Sequence, residues 1–193
     1  MSSSSGSSAM RPALERRLNY NGPALFSYGF RPFFLGGAAW SVACIVFWIP
    51  QLLGDLSLRT AYSPLDWHIH EMLYGYVAAV IAGFLLTAIP NWTGRLPITG
   101  GPLMALAALW LVGRFAILFS AQLGILVAAL IDVAFLATLA VVAAREIIVG
   151  RNWRNLRVLV LIGVLIAGNI AFHTEVMSAD NVSGPRELLI TTL

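Results

Sequence analysis

Charge is what this chain has least of. Charged residues make up 11% of its 193 positions and hydrophobic residues 59%, where soluble domains carry about 25% charged residues. That balance excludes a soluble globular domain and predicts a membrane protein. Lysine is missing: all 12 basic residues are arginines. The net charge of +3 is too small to attract nucleic acid, so the expected partner is the lipid bilayer and no nucleic acid. Cysteine occurs once, as Cys44, which excludes an intrachain disulfide and fits a small hydrophobe packed inside an apolar span. The H-E-x-x-H pattern of zinc proteases is absent too, and no internal repeat is defensible.

What remains reads as an all-α polytopic transmembrane helix bundle. A bilayer crossing needs about 20 apolar residues, and five stretches qualify: 31–53, 69–90, 102–120, 122–144 and 156–177. Proline and glycine punctuate them. Gly54-Asp55 closes the first, Pro90-Asn91-Trp92 closes the second and Gly100-Gly101-Pro102 opens the third. The short break at Ser120 to Gln122 predicts a tight helical hairpin, and no span is expected to be broken by an internal proline. Residues 1–19 form a Ser- and Arg-rich tail, expected to be disordered because it has little apolar surface to bury. The apolar stretch after it is too long for a signal peptide, whose apolar region runs about 7–15 residues. Residues 20–177 are expected to form the five-span domain, and 178–193 an outer-face segment that starts a truncated sixth span.

Arginine placement orients the bundle. With the N-terminus in the cytoplasm, Arg11, Arg16, Arg17, Arg31, Arg95, Arg145, Arg151, Arg154 and Arg157 fall on inner segments, and only Arg59 and Arg186 on outer ones. This is the bias of the positive-inside rule. The second span then runs inward and the fifth outward. His68, His70 and Glu71 at the start of one, and His173 and Glu175 at the end of the other, share the outer face. One span more or fewer between them would put them ~30 Å apart.

The stretch Trp67-His68-Ile69-His70-Glu71-Met72 holds two of the three histidines, at the mouth of an uncharged run. On a continuous helix His68 and His70 diverge by about 200°, so one metal cannot take both from regular helix. Asp66 is a plausible N-cap just ahead of them. Asn169 and His173 are four apart on one helix face, so the amide is placed to orient the ring. On spacing alone three readings stay open: a metal or haem site, an interfacial belt with Trp67, Tyr62 and Tyr74 as anchors, and proton handling. Arg114 and Asp132 are charges inside spans, costing roughly 2.5–3.5 kcal/mol each at a helix centre. They are expected to face inward as an ion pair across the hairpin, or to serve an anion or a cofactor carboxylate. Glu71 and Glu175 at the outer rim read as solvated helix-end carboxylates, with metal binding as the alternative. Small residues at Gly75, Ala79 and Gly83, and at Gly163, Ala167 and Ala171, read as packing stripes that would bring the two histidine-bearing helices together.

The block His68 to Gly75, followed by Gly83-Phe-Leu-Leu-Thr-Ala-Ile-Pro90-Asn91-Trp92-Thr93-Gly94-Arg95, resembles the NnrS family. So do Phe26 to Phe34, Gly113-Arg114 and Arg154 to Arg157 leading to Asn169 and His173. The resemblance covers about residues 20 to 177. It implies a bacterial inner-membrane protein containing haem and copper and associated with nitric oxide, nitrosative stress and denitrification. It makes His68, His70 and His173 the ligand candidates at the periplasmic face, with Glu71, Tyr74, Arg114 and Asn169 in support and no catalytic residue assigned. Members of that family are longer and carry further histidines. The chain is therefore expected to match an N-terminal half, completed by a second copy or by a C-terminal half. A metal-free transporter or channel using Arg114 and Asp132, and a structural subunit, are the competing readings.

Overall fold

The computed structural model describes residues 20–191, with side chains described as far as Ser178. The tail 1–19, the side chains of 179–193 and with them Arg186 lie outside the described residues. Among the described residues there is no strand, and five helices are long and apolar enough to cross a membrane. They are α1 (Phe30–Leu53), α2 (Pro64–Thr93), α3 (Gly101–Leu118), α4 (Ile125–Val149) and α5 (Leu156–Thr191), the last with its apolar stretch in Trp153–Ser178. The chain is a multi-pass membrane protein.

Local chemistry sets the boundaries. Gly54 and Gly94 adopt φ of 82° and 68° and turn the ends of α1 and α2 into left-handed caps, a conformation glycine reaches without steric cost. Each glycine follows a proline by four residues. Pro50 lies within α1 and Pro90 within α2, yet neither span is broken by its proline, as expected. Both sit in a last turn, so the helix stops soon after and does not break. Gly124, at φ 84°, separates α3 from α4 after one short turn, Ser120–Leu123, and so makes the expected hairpin.

The second span begins earlier than its apolar run suggests. Ser63, not Asp66, is its N-cap: the Ser63 hydroxyl accepts the Asp66 N–H at 3.1 Å, and Pro64 occupies the first turn. A hydroxyl cap followed by proline is the pattern that starts helices. Polar residues in the first two turns hid this start from hydropathy. Part of α2, Glu71–Val77, is π-helical, a local widening that recurs at functional sites.

α2 is the central helix. Half of its most apolar window is buried, against 17% for that of α5. Phe33 of α1, Ala78, Ala82 and Leu86 of α2, Leu103 and Trp110 of α3, and Phe135 and Leu139 of α4 form the main core. The small-residue stripes are used differently from expectation. A Cβ on Gly83 would stand 2.7 Å from Phe34, and one on Gly37 3.3 Å from Ala79, so the α2 stripe admits α1. Gly163, Ala167 and Ala171 are exposed, and a Cβ on Gly163 would meet nothing within 4 Å. The two histidine-bearing helices meet through long side chains across α4, with no small-residue seam between them.

Candidate metal centre

Five helices and one loop contribute to a polar cluster inside the bundle. α1 supplies Trp40; α2 supplies His70, Glu71 and Tyr74; α3 supplies Arg114; α4 supplies Asp132; and α5 supplies Asn169 and His173. Tyr62 enters from the loop before α2. His70, Glu71, Arg114 and Asn169 are fully buried, and Asp132 and His173 are 1% exposed. Buried charges are tolerated only when paired and hydrogen-bonded, and here they are.

The pairing starts from Arg114. Its Nη1 donates to Glu71 Oε2 at 2.9 Å, and its Nη2 donates to Asp132 Oδ1. The expected ion pair across the hairpin is present, and Gly113 helps: a Cβ there would lie 3.4 Å from the Asp132 Cα, so α3 and α4 come close at this level. Gly75 does more. A Cβ on it would stand 2.7 Å from Arg114 Nη1, 2.8 Å from Glu71 Oε2 and 3.0 Å from Trp40 Nε1, so the guanidinium passes over a missing side chain. The carbonyl of Gly75, in the π-helical segment, accepts the Trp110 indole N–H at 2.9 Å.

Glu71 is no solvated carboxylate. It accepts the Trp40 indole N–H at 2.6 Å as well as Arg114, and its Oε1 lies 3.1 Å from His70 Nδ1. The opposite nitrogen of that ring, Nε2, faces Asp132 Oδ2 at 3.3 Å and Asn169 Oδ1 at 3.2 Å. The Nε2 of His173 reaches the same Asp132 oxygen at 3.2 Å. Two imidazole nitrogens and a carboxylate oxygen therefore converge, and His70, Asp132 and His173 present ligand atoms all within 4.8 Å of one another. The described part of the chain thus holds a His/Asp group able to bind a metal ion.

Each of those three side chains is held from behind. Glu71 takes His70 Nδ1, Arg114 takes the other oxygen of Asp132, and the Tyr62 hydroxyl lies 2.7 Å from His173 Nδ1. Burial pushes the Tyr62 hydroxyl pKa up, reinforced by the charge of Glu71 and opposed by Arg114, so it stays a neutral phenol. Asn169 was expected to orient His173, its neighbour one turn on. It instead spans His70 and Asp132, donating to Asp132 Oδ2 at 2.7 Å. Arg114 sets one positive charge against the two carboxylates, Glu71 and Asp132.

The remaining candidates fall outside this group. His68 is half-buried and stacked on Trp48, with ring centroids 4.1 Å apart and planes 13° from parallel; the helix turns it away from His70, as the spacing predicts. Tyr74 packs beside the His70 ring, 5.2 Å between centroids. Trp67, Tyr62 and Tyr74 are buried at 0%, 4% and 8% exposure, which corrects their reading as an interfacial belt. Glu175 is exposed, and Cys44 is buried in an apolar cluster with Trp67 and Ile117.

Sequence reasoning missed Asp132 as a ligand candidate and Trp40 and Tyr62 as supports. Asp132 did carry a signal, a carboxylate in an otherwise apolar span, but it was spent on explaining Arg114. Trp40 carried none, since an indole in a span is ordinary.

No match was found among curated proteins or among solved structures. A family model described as NnrS protein matches residues 24–192, a range that takes in all five helices and every residue of the cluster, and the chain belongs to the NnrS family.

Proposed function

We propose that this is a copper-binding protein of a bacterial inner membrane, acting in nitric oxide and nitrosative stress, with the ion held by His70, His173 and Asp132. The observation that carries the reading is the convergence of two Nε2 atoms on one Asp132 oxygen, at 3.3 and 3.2 Å. Two donors on one transition ion, each about 2.0–2.2 Å from it, are separated by roughly that distance. Imidazole and carboxylate together suit copper, zinc or iron, and geometry with metal supply selects among them. The family resemblance favours copper and supplies the nitric oxide context. The arginine distribution supports an N-terminus in the cytoplasm and the cluster near the periplasmic face.

Haem, which the same resemblance implies, does not fit this cluster. A porphyrin needs an open face beside its axial ring, and the His70 ring is enclosed by Tyr62, Tyr74, Phe172 and His173 at centroid distances of 4.9–5.8 Å. Asp132 already bridges the two imidazoles, and Asn169 joins it to His70. No part in this site is therefore given to haem.

The protein's own part is preorganisation. With its proton on Nδ1, the His70 ring donates to the Glu71 carboxylate and turns its Nε2 lone pair to the centre, where a metal would bind. The Tyr62 oxygen is placed to accept from His173 Nδ1 in the same way. Such outer partners fix tautomer and ring orientation and raise ligand basicity. Arg114 holds one Asp132 oxygen and leaves the other facing the histidines. A copper ion there would supply a position for a small diatomic ligand such as nitric oxide. The transporter reading draws less support: Arg114 and Asp132 are enclosed and engaged with each other.

The test is elemental analysis of the full chain purified from membranes and loaded with copper. One tightly held ion per chain is expected, lost in His70→Ala, His173→Ala and Asp132→Asn and kept in His68→Ala. Retention in all of the first three variants, each checked for helical content, would remove the assignment.

A further inference from the structure

At the opposite end of the bundle from the histidines lies a cavity of about 470 Å³ between the 3-10 turn before α1, the loop into α3 and the end of α4. We infer that this cavity binds the phosphate ester of an anionic amphiphile, a membrane phospholipid, with Arg145 as the phosphate partner.

The cavity is two-faced. Tyr20, Ser27, Tyr28 and Thr99 give it hydroxyls, Arg145 gives it a cation, and Val142 is among the residues that make its apolar wall. Its volume is in the range of small-molecule sites, about 300–1,000 Å³. Val142 and Arg145 are successive residues on one face of α4, which ends at Val149. The cavity thus runs from apolar helix to helix end, the depth at which a bilayer passes from acyl chain to headgroup.

Charge points to an anion. Arg31, Arg95, Arg145, Arg151, Arg154 and Arg157 all fall at this end, and among the described residues Glu146 is the one acidic side chain there. Glu146 is engaged by Arg95 through one oxygen. Its other oxygen is 3.6 Å from Arg145, whose side chain is 72% exposed. Arg145 therefore keeps most of its donors for a ligand. Basic pockets between membrane helices are a known means of holding lipid phosphates, and a planar guanidinium suits phosphate oxygens.

The walls are built. Arg31 donates to the Ala24 carbonyl and to the Ser27 hydroxyl, both at 2.8 Å, and its guanidinium lies 4.9 Å from the centre of the Tyr28 ring. The Gly100 N–H donates to the Phe26 carbonyl at 2.9 Å. The turn carrying Ser27 and Tyr28 is thereby tied to the loop carrying Thr99.

Native mass spectrometry of the full chain from mixed micelles tests this, with phosphatidylglycerol and phosphatidylcholine offered in equal amounts. The wild-type chain should retain phosphatidylglycerol preferentially. Arg145→Gln should lower that retention about fivefold, the effect of one arginine near an anionic lipid surface, and Arg154→Gln, outside the cavity, should lower it much less. Val142→Trp, which fills the apolar wall without changing charge, should also lower it. Equal losses in Arg145→Gln and Arg154→Gln, or full retention in Val142→Trp, would overturn the proposal. Displacement of the lipid by millimolar inorganic phosphate would overturn it too, because the ligand would then be the free anion.

Discussion

Arg114 and Glu71 meet at 2.9 Å with neither side chain reaching the surface, although they stand 43 residues apart. The guanidinium also holds Asp132, so one cation joins α2, α3 and α4. Removing one member of a buried pair leaves the other unpaired, which costs about 3–5 kcal/mol. Arg114→Met should lower stability by that order. Arg95→Met removes a partner that is 34% exposed and should cost about 0–1 kcal/mol, as partly solvated pairs do. Thermal unfolding of both variants in detergent checks the contrast, and equal losses would show that the Arg114 network contributes little.

The glycines give a second contrast, at matched chemistry. In Gly75→Ala the new methyl meets Arg114, Glu71 and Trp40 at 2.7–3.0 Å, and all three are fixed by one another. Overpacking of this kind costs about 1–3 kcal/mol. In Gly163→Ala the methyl meets nothing within 4 Å, so alanine's better helix propensity is the larger effect. The unfolding midpoint should fall for Gly75→Ala and hold or rise for Gly163→Ala. Both falling alike would mean that the approach at Gly75 is not tight.

Much of the architecture was legible because it rests on bulk properties. Five apolar runs, glycine and proline at their ends and paired charges inside them led to the spans, the hairpin and the Arg114–Asp132 pair. The start of α2 was not legible, since Ser63, Pro64 and Asp66 look like loop residues until the cap is seen. The placement of Glu71 was lost with it: at a helix mouth a glutamate is solvated, but two turns in, at the head of a π-helical segment, it turns to Arg114. The divergence of His68 and His70 followed from helix geometry alone. The choice of Asp132 as the third member of the group needed the α4–α5 contact, which no local pattern encodes.

The outer partners of the proposed metal ligands are open to a graded test. Tyr62→Phe removes the hydroxyl 2.7 Å from His173 Nδ1, and Glu71→Gln removes the carboxylate charge beside His70. Changes to such supports weaken metal affinity about 10–100-fold while leaving the ligands in place. Copper titration against a competing chelator should show losses of that size with one ion still bound at saturation. Unchanged affinity in both variants would separate these residues from the metal site. Tyr62→Phe is the cleaner case, because Glu71 also serves Arg114 and Trp40.

Asn169→Ala separates a ligand cluster from a self-contained hydrogen-bond cluster. Its amide donates to Asp132 Oδ2 at 2.7 Å and sets its own oxygen 3.2 Å from His70 Nε2. If the network exists only to satisfy its own polar groups, removing the amide takes one buried partner from each, leaving His70 and Asp132 to one another and to His173, and such a loss costs about 1–3 kcal/mol. If His70, His173 and Asp132 hold an ion, the ion takes the Asp132 oxygen that the Asn169 N–H satisfied and the His70 nitrogen that faced the Asn169 oxygen, and copper should restore most of the lost stability. Unfolding of Asn169→Ala with and without copper measures this directly. Copper should raise the midpoint of the variant by at least as much as that of the parent chain. A variant that copper does not rescue, beside a parent that copper stabilises, would make Asn169 part of the metal site itself.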